Sequence, residues 1–142
     1  MRRDALSLGL SLLLVGCSRQ QSGPGVDLAQ GKQLYEQNCA SCHGVQGEGA
    51  VEWQELNADG SYRAPPHTDE GHTWHHPDEQ LYLIVRDGGR APGTTMPAFG
   101  SQLDHAEIIA VLEYIKTFWS PEMHASQARG SEAMPYPVTD GK

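Results

Sequence analysis

Residues 39–43 read Cys-Ala-Ser-Cys-His, and three side chains in that run can do chemistry. Two thiols three apart with an imidazole directly after them admit several uses: a redox-active pair, half of a zinc site, or the attachment of a haem. A thioredoxin-like pair would follow a strand in an alternating strand and helix pattern, whereas the residues before Cys39 read as a helix. Zinc wants four ligands, usually from two such pairs; the three cysteines of the chain fall at 17, 39 and 42, so there is no second pair. Haem attachment meets each constraint. Two thiols add across the two vinyl groups of a porphyrin, and His43 is then held under the iron as an axial ligand. Cys39 and Cys42 are the expected thioether links to one haem c. The second axial ligand must come from far downstream. Pro92-Gly93-Thr94-Thr95-Met96-Pro97 sets a thioether in a stiff loop, and a Met/His pair raises the reduction potential. Met96 is the expected partner of His43 on the iron.

Three helices are expected to position these groups. The first spans Leu28 to about Asn38, with Asp27 as N-cap and Gln30 three residues on as its capping-box partner. Leu28, Gly31 and Tyr35 fall on one stripe. A middle helix over about Asp78 to Asp87 follows Pro77 and stops at Gly88-Gly89, with Leu81, Ile84 and Val85 buried. The last is the clearest: Asp104 caps, Glu107 answers it, and Ile108, Val111, Leu112, Ile115 and Trp119 recur at helical spacing. Glu107, Glu113 and Lys116 are assigned to its wet face, and Pro121 to its stop. The stretch from Gly44 to His76 shows little periodicity, a length of loop that a compact domain accommodates when a large apolar cofactor replaces part of its core. No strand pattern is convincing.

The start of the chain is not fold. Arg2 and Arg3 precede the apolar run LSLGLSLLLV at 6–15, too short for a membrane span, which needs about 20 residues, but suited to a signal peptide. It ends in Leu14-Val15-Gly16-Cys17, which resembles a bacterial lipobox whose cysteine is lipidated and becomes the mature N-terminus. The organisation expected is a lipoprotein signal peptide over 1–16, lipidated Cys17 and a flexible tether over 17–26, one domain over 27–119, and a loosely packed tail over 120–142. A formal net charge of −8 argues against nucleic acid and permits docking on a basic partner surface.

In this order the motifs resemble class I c-type cytochromes of the small bacterial, monohaem kind, from Asp27 to about Trp119. The resemblance rests on Cys39-x-x-Cys42-His43-Gly44, the loop Gly47-Glu48-Gly49, Pro92-Gly93-Thr94-Thr95-Met96 and a final helix containing Tyr114. It implies an all-α fold, three to four helices and long loops wrapped around one haem. It also implies that a proline carbonyl accepts the second N–H of His43, from Pro65 or Pro66. Trp74 is a candidate donor to a haem propionate, with a half-buried Trp covering the haem edge as the alternative. Thr94 is a second propionate donor, Arg63 a weaker one. Gly31 and Tyr35 are expected to make the close crossing with the final helix, against Val111 and Tyr114.

His67, His72, His75 and His76 invite a metal site, since imidazoles bind copper or zinc. They lie in an apparent loop with no further cysteine or obvious carboxylate, so a surface cluster near the haem is the default. The functional expectation is a membrane-tethered carrier of single electrons between redox proteins on the periplasmic or cell-surface side, monomeric in its soluble domain and not an enzyme in its own right. Two alternatives stand beside it: an electron-entry or exit subunit of a larger respiratory or metabolic oxidoreductase, and a haem-based peroxidase or gas sensor with a displaceable Met96.

Overall fold

In the computed structural model, which describes residues 25–138, five helices follow one another among the described residues. They are α1 (Leu28–Asn38), α2 (Ala40–His43), α3 (Asp78–Asp87), α4 (His105–Lys116) and α5 (Pro121–Ser131), with a single 3-10 turn at Thr73–His75 between α2 and α3. The segment expected to be a signal peptide, and the expected lipidation site Cys17, lie outside the described residues. The fold is all-α, as expected; its extended pairing among those residues amounts to an isolated bridge between Leu56 and Tyr62.

The frame is the crossing of α1 and α4. Gly31 makes it possible: a Cβ there would stand 2.1 Å from the carbonyl oxygen of Ala110 and 3.1 Å from Cβ of Tyr114. The nearest neighbour is thus the backbone at Ala110, not the side chain of Val111. One turn on, the fully buried Tyr35 packs its ring 5.5 Å from both Tyr114 and Phe118. Both helices start where their caps direct. Asp27 Oδ1 accepts from the amides of Ala29 and Gln30 at 2.9 and 3.1 Å, so Gln30 joins the cap through its backbone. Asp104 and Glu107 form the full capping box, each side chain bonded to the other's amide at 2.9 Å. α3 packs on α4 through Leu81, Tyr82 and Val85.

Two expectations are corrected here. Pro121 does not stop the preceding helix. α4 ends at Lys116, and Pro121 opens α5, where its missing N–H costs nothing and Ser120 caps. Nor are the described residues of the expected loose tail, 120–138, loosely packed. The Ser120 amide donates to Asp69 at 2.8 Å, Gln127 Nε2 to Asp78 Oδ1 at 2.6 Å, and the Glu79 amide to Met134 O at 3.1 Å. The second correction explains a third. Lys116 is not on a wet face: it is 9% exposed. Its ammonium lies 2.8 Å from Asp78 and 2.7 Å from Glu113, over the ring of Tyr136, whose hydroxyl donates to Glu113 at 2.9 Å. The chain after Trp119 covers what a helical wheel leaves open.

Candidate functional site

The spacing of Cys39, Cys42 and His43 has a local geometric reason. α1 ends at Asn38, and the chain makes one further helical turn, with the amides of Cys42 and His43 both bonded to Cys39 O at 3.1 and 3.0 Å. Positions i, i+3 and i+4 share a helix face, so both thiols and the imidazole are presented to the same side. Gly44 ends the turn at φ +81°, a conformation a side chain would resist. Its carbonyl accepts the Tyr35 hydroxyl at 2.8 Å, tying the motif to the α1–α4 crossing.

That side faces a cavity of about 1180 Å³, above the 300–1,000 Å³ typical of small-molecule sites. Cys39, Cys42, His43, Thr94 and Met96 all line it, although they come from two segments about fifty residues apart. Its apolar wall is built from Leu81, Ile84 and Val85 of α3, Leu112 and Ile115 of α4, and Phe99. Ile84, expected to be buried in the core, faces the cavity instead, and Tyr82, which was not expected there, is buried. Burial pushes the Cys39 thiol up to about 11, so the unmodified side chain stays a neutral thiol.

His43 is only 9% exposed. Its Nδ1–H donates to the carbonyl of Pro65 at 2.8 Å. Pro65, not Pro66, is the partner, and the bond leaves Nε2 as the nitrogen able to ligate a metal. Burial lowers the pKa of His43, partly offset by the bond to Pro65, which favours the neutral imidazole a ligand must be. The Pro65 peptide is brought close by Gly49: a Cβ there would lie 2.5 Å from Pro66 N. Met96 is held from α3 outward. Its carbonyl accepts from the amide of Gly89 at 3.1 Å, its amide donates to Thr94 Oγ1 at 3.4 Å, and the Phe99 amide bonds Val85 O at 3.0 Å.

The aromatic and cationic candidates separate. Trp74 is not among the residues lining the cavity; its indole N–H donates to Asp69 O at 3.3 Å and its ring packs 3.7 Å from His75. This geometry supports neither a bond to a propionate nor cover of the haem edge: Trp74 is partly buried against the core instead. Arg63 does line the cavity, but its guanidinium bonds Val51 O at 3.0 Å and Glu52 O at 3.3 Å, bracing the loop that forms that wall. His72 and His76 line the cavity with rings 5.5 Å apart, while His75 turns to Trp74. Among the described residues no three His, Cys, Asp or Glu side chains gather as a metal-binding group.

His67 was grouped with these as a candidate metal ligand, and its actual place went unforeseen. It is buried, with its ring stacked on that of His43 at 4.1 Å between centroids and 21° between planes. Its place two residues after Pro65 was the available signal, and it became usable only once Pro65 was fixed as the partner of His43.

The donor set and its surroundings fit a haem: two thiols and an imidazole on one helical turn, a thioether from an anchored loop, and apolar walls on a cavity large enough for a macrocycle. The comparisons agree. Residues 28–119 match the sequence profile of the family described as Cytochrome c. The chain is 34% identical over 89 residues to a cytochrome c6 of Diacronema lutheri, covering 63% of this chain and 93% of that protein. It is 29% identical over 101 residues to a Cbb3-type cytochrome c oxidase subunit CcoP of Azospirillum sp. (strain B510), covering 64% of this chain but 30% of that subunit.

Proposed function

The chain belongs to the cytochrome c family and carries haem c bound covalently through Cys39 and Cys42; from that premise we propose that it is a membrane-tethered carrier of single electrons between redox proteins outside the cytoplasm. The haem, when bound, supplies a reversible one-electron iron couple. The remainder of the task falls to the chain. His43 and Met96, which line the same cavity, would hold the iron between them and leave it no site for a substrate. Pro65 holds the His43 proton on Nδ1 and keeps Nε2 directed to the metal. The aliphatic wall from α3 and α4 excludes water, and Thr94, whose side chain lies at the cavity, would donate to a propionate. Acyl chains on Cys17 hold the protein at a membrane; more than one chain is needed for a stable anchor.

The observation that carries this reading is the convergence of His43, with its Nδ1–H committed to Pro65, and Met96 on one cavity. Absorption and magnetic circular dichroism of the oxidised protein test it. The expected result is a low-spin spectrum with the weak charge-transfer band of methionine–Fe(III) coordination, lost in Met96→Ala. A Met96→Ala variant with an unchanged spectrum refutes the ligand assignment, and ready CO binding by the reduced protein at neutral pH refutes the carrier reading in favour of a haem-based catalyst or sensor. Cys17→Ala is expected to move the protein from the membrane fraction to the soluble one.

The likeness to the oxidase subunit supports a second reading, in which this domain is the electron port of a larger oxidoreductase. Co-purification of stoichiometric partner subunits from detergent-solubilised membranes favours that reading; a protein that elutes alone favours the free carrier.

A further inference from the structure

Three polar atoms of His67 are held by hydrogen bonds. Its amide donates to Gly47 O at 2.7 Å, its carbonyl accepts the indole N–H of Trp119 at 2.7 Å, and its Nδ1 pairs with Thr73 Oγ1 at 2.9 Å. The ring so held lies flat against one face of His43, 4.1 Å away. Gly47 and Tyr35 complete the enclosure: a Cβ on Gly47 would meet Cβ of His67 at 3.3 Å, and the Tyr35 ring stands edge-on at 6.1 Å.

Burying an imidazole where a leucine would fill similar space carries a desolvation cost that a hydrogen bond offsets only in part. Core packing alone therefore does not account for it. A hydrogen bond to Pro65 holds the His43 Nδ1–H at one point, and the ring can still tilt about that axis. A flat partner pressed on its face removes the remaining freedom, in the way that groups behind a metal ligand fix its orientation.

We propose that His67 is a positioning residue that sets the plane of the His43 imidazole, acting as a stacked plate held upright by Thr73. The inference rests on His43 being an axial ligand, and the His43→Ala variant tests that separately: a haem spectrum unchanged from the parent would remove the premise before any His67 variant is made. Given a His43-ligated parent, the orientation of the ligand plane is read from the electron paramagnetic resonance g-values and from the order and spread of the four haem-methyl proton shifts. His67→Leu, similar in volume but without a flat face, is expected to change the g-anisotropy and reorder the methyl shifts. His67→Phe, which keeps a flat face, is expected to retain the parent pattern. Thr73→Val releases the plate without touching the ligand and is expected to move the pattern in the direction of His67→Leu. A His67→Leu protein with the parent g-values and methyl order overturns the proposal, and so do His67→Leu and His67→Phe variants displaced alike. Should both His67 variants fail to load haem, Thr73→Val decides: a parent-like pattern refutes, a shifted one supports.

Discussion

Replacing Gly31 with alanine sets two effects against each other. Alanine in a helix interior is favoured over glycine by about 1 kcal/mol, so propensity alone predicts a more stable protein. The tertiary structure predicts the reverse. The new methyl carbon would sit 2.1 Å from Ala110 O and 2.8 Å from its carbonyl carbon, where non-bonded contacts want about 3.5 Å. Both obstacles are backbone, so no rotamer change relieves them. Either α1 and α4 separate by more than about 1 Å or both bend, and Tyr35, Tyr114 and Phe118 lose their mutual packing. Overpacking of this kind costs about 3 kcal/mol at the upper end of its usual range, leaving a net loss of about 2 kcal/mol after the propensity gain. For a domain of about 100 residues that corresponds to a fall in Tm of about 8 °C, measured on the haem-loaded protein by far-ultraviolet circular dichroism. Gly31→Ser places the same Cβ without the full propensity gain and is expected to fall slightly further. An alanine variant as stable as the parent, or more so, would refute the close crossing as the determinant of this fold.

Lys116→Met leaves Asp78 and Glu113 without their shared cation in a site where the side chains of the lysine and the two carboxylates are 11%, 15% and 31% exposed; a loss of about 3 kcal/mol is expected by denaturant titration, and a loss under about 0.5 kcal/mol, the size of a surface pair, would return Lys116 to the surface. Truncation after Trp119 removes Gln127, Ser131 and Tyr136 from that network but no residue lining the cavity. It is expected to lower Tm while leaving the haem absorption spectrum unchanged. Burial holds the pKa of His67 well below its ordinary value, with the neighbouring imidazoles adding to the effect. The unfolded chain therefore binds the extra proton first, so the stability this residue contributes is complete above about pH 6.5 and is lost as pH falls below it. Tm measured from pH 7.5 to 5 is expected to decline less steeply in His67→Leu than in the parent; equal slopes would count against a buried neutral imidazole.

What could be read from the sequence was whatever local spacing encodes. Cys39, Cys42 and His43 declare themselves because one helical turn puts i, i+3 and i+4 on one side, and that turn is the structure observed. The boundaries of α3, and the start of α4 at its capping box, were legible because caps and the glycines at 88 and 89 act within a few residues. Gly31 betrayed a close crossing, since a glycine inside a helix needs a packing reason. Which individual groups touch where distant segments meet was mostly beyond its reach. Choosing Pro65 over Pro66 depends on which carbonyl points at His43, a matter of loop path enforced by Gly49. Lys116 looks solvated on a helical wheel, because its i,i+3 neighbour Glu113 is an ordinary surface pair until Asp78 arrives from α3 and Tyr136 from beyond α5. Trp74 and His67 are both aromatic or imidazole side chains in the same loop, yet one is turned to Asp69 and the other is pressed on His43. Spacing along the chain determined which residues could bind a haem; only the path of the loop over 44–76 and the packing of α3 and α4 decided which neighbours orient those residues, because burial and stacking depend on surfaces that meet after the chain has closed on itself.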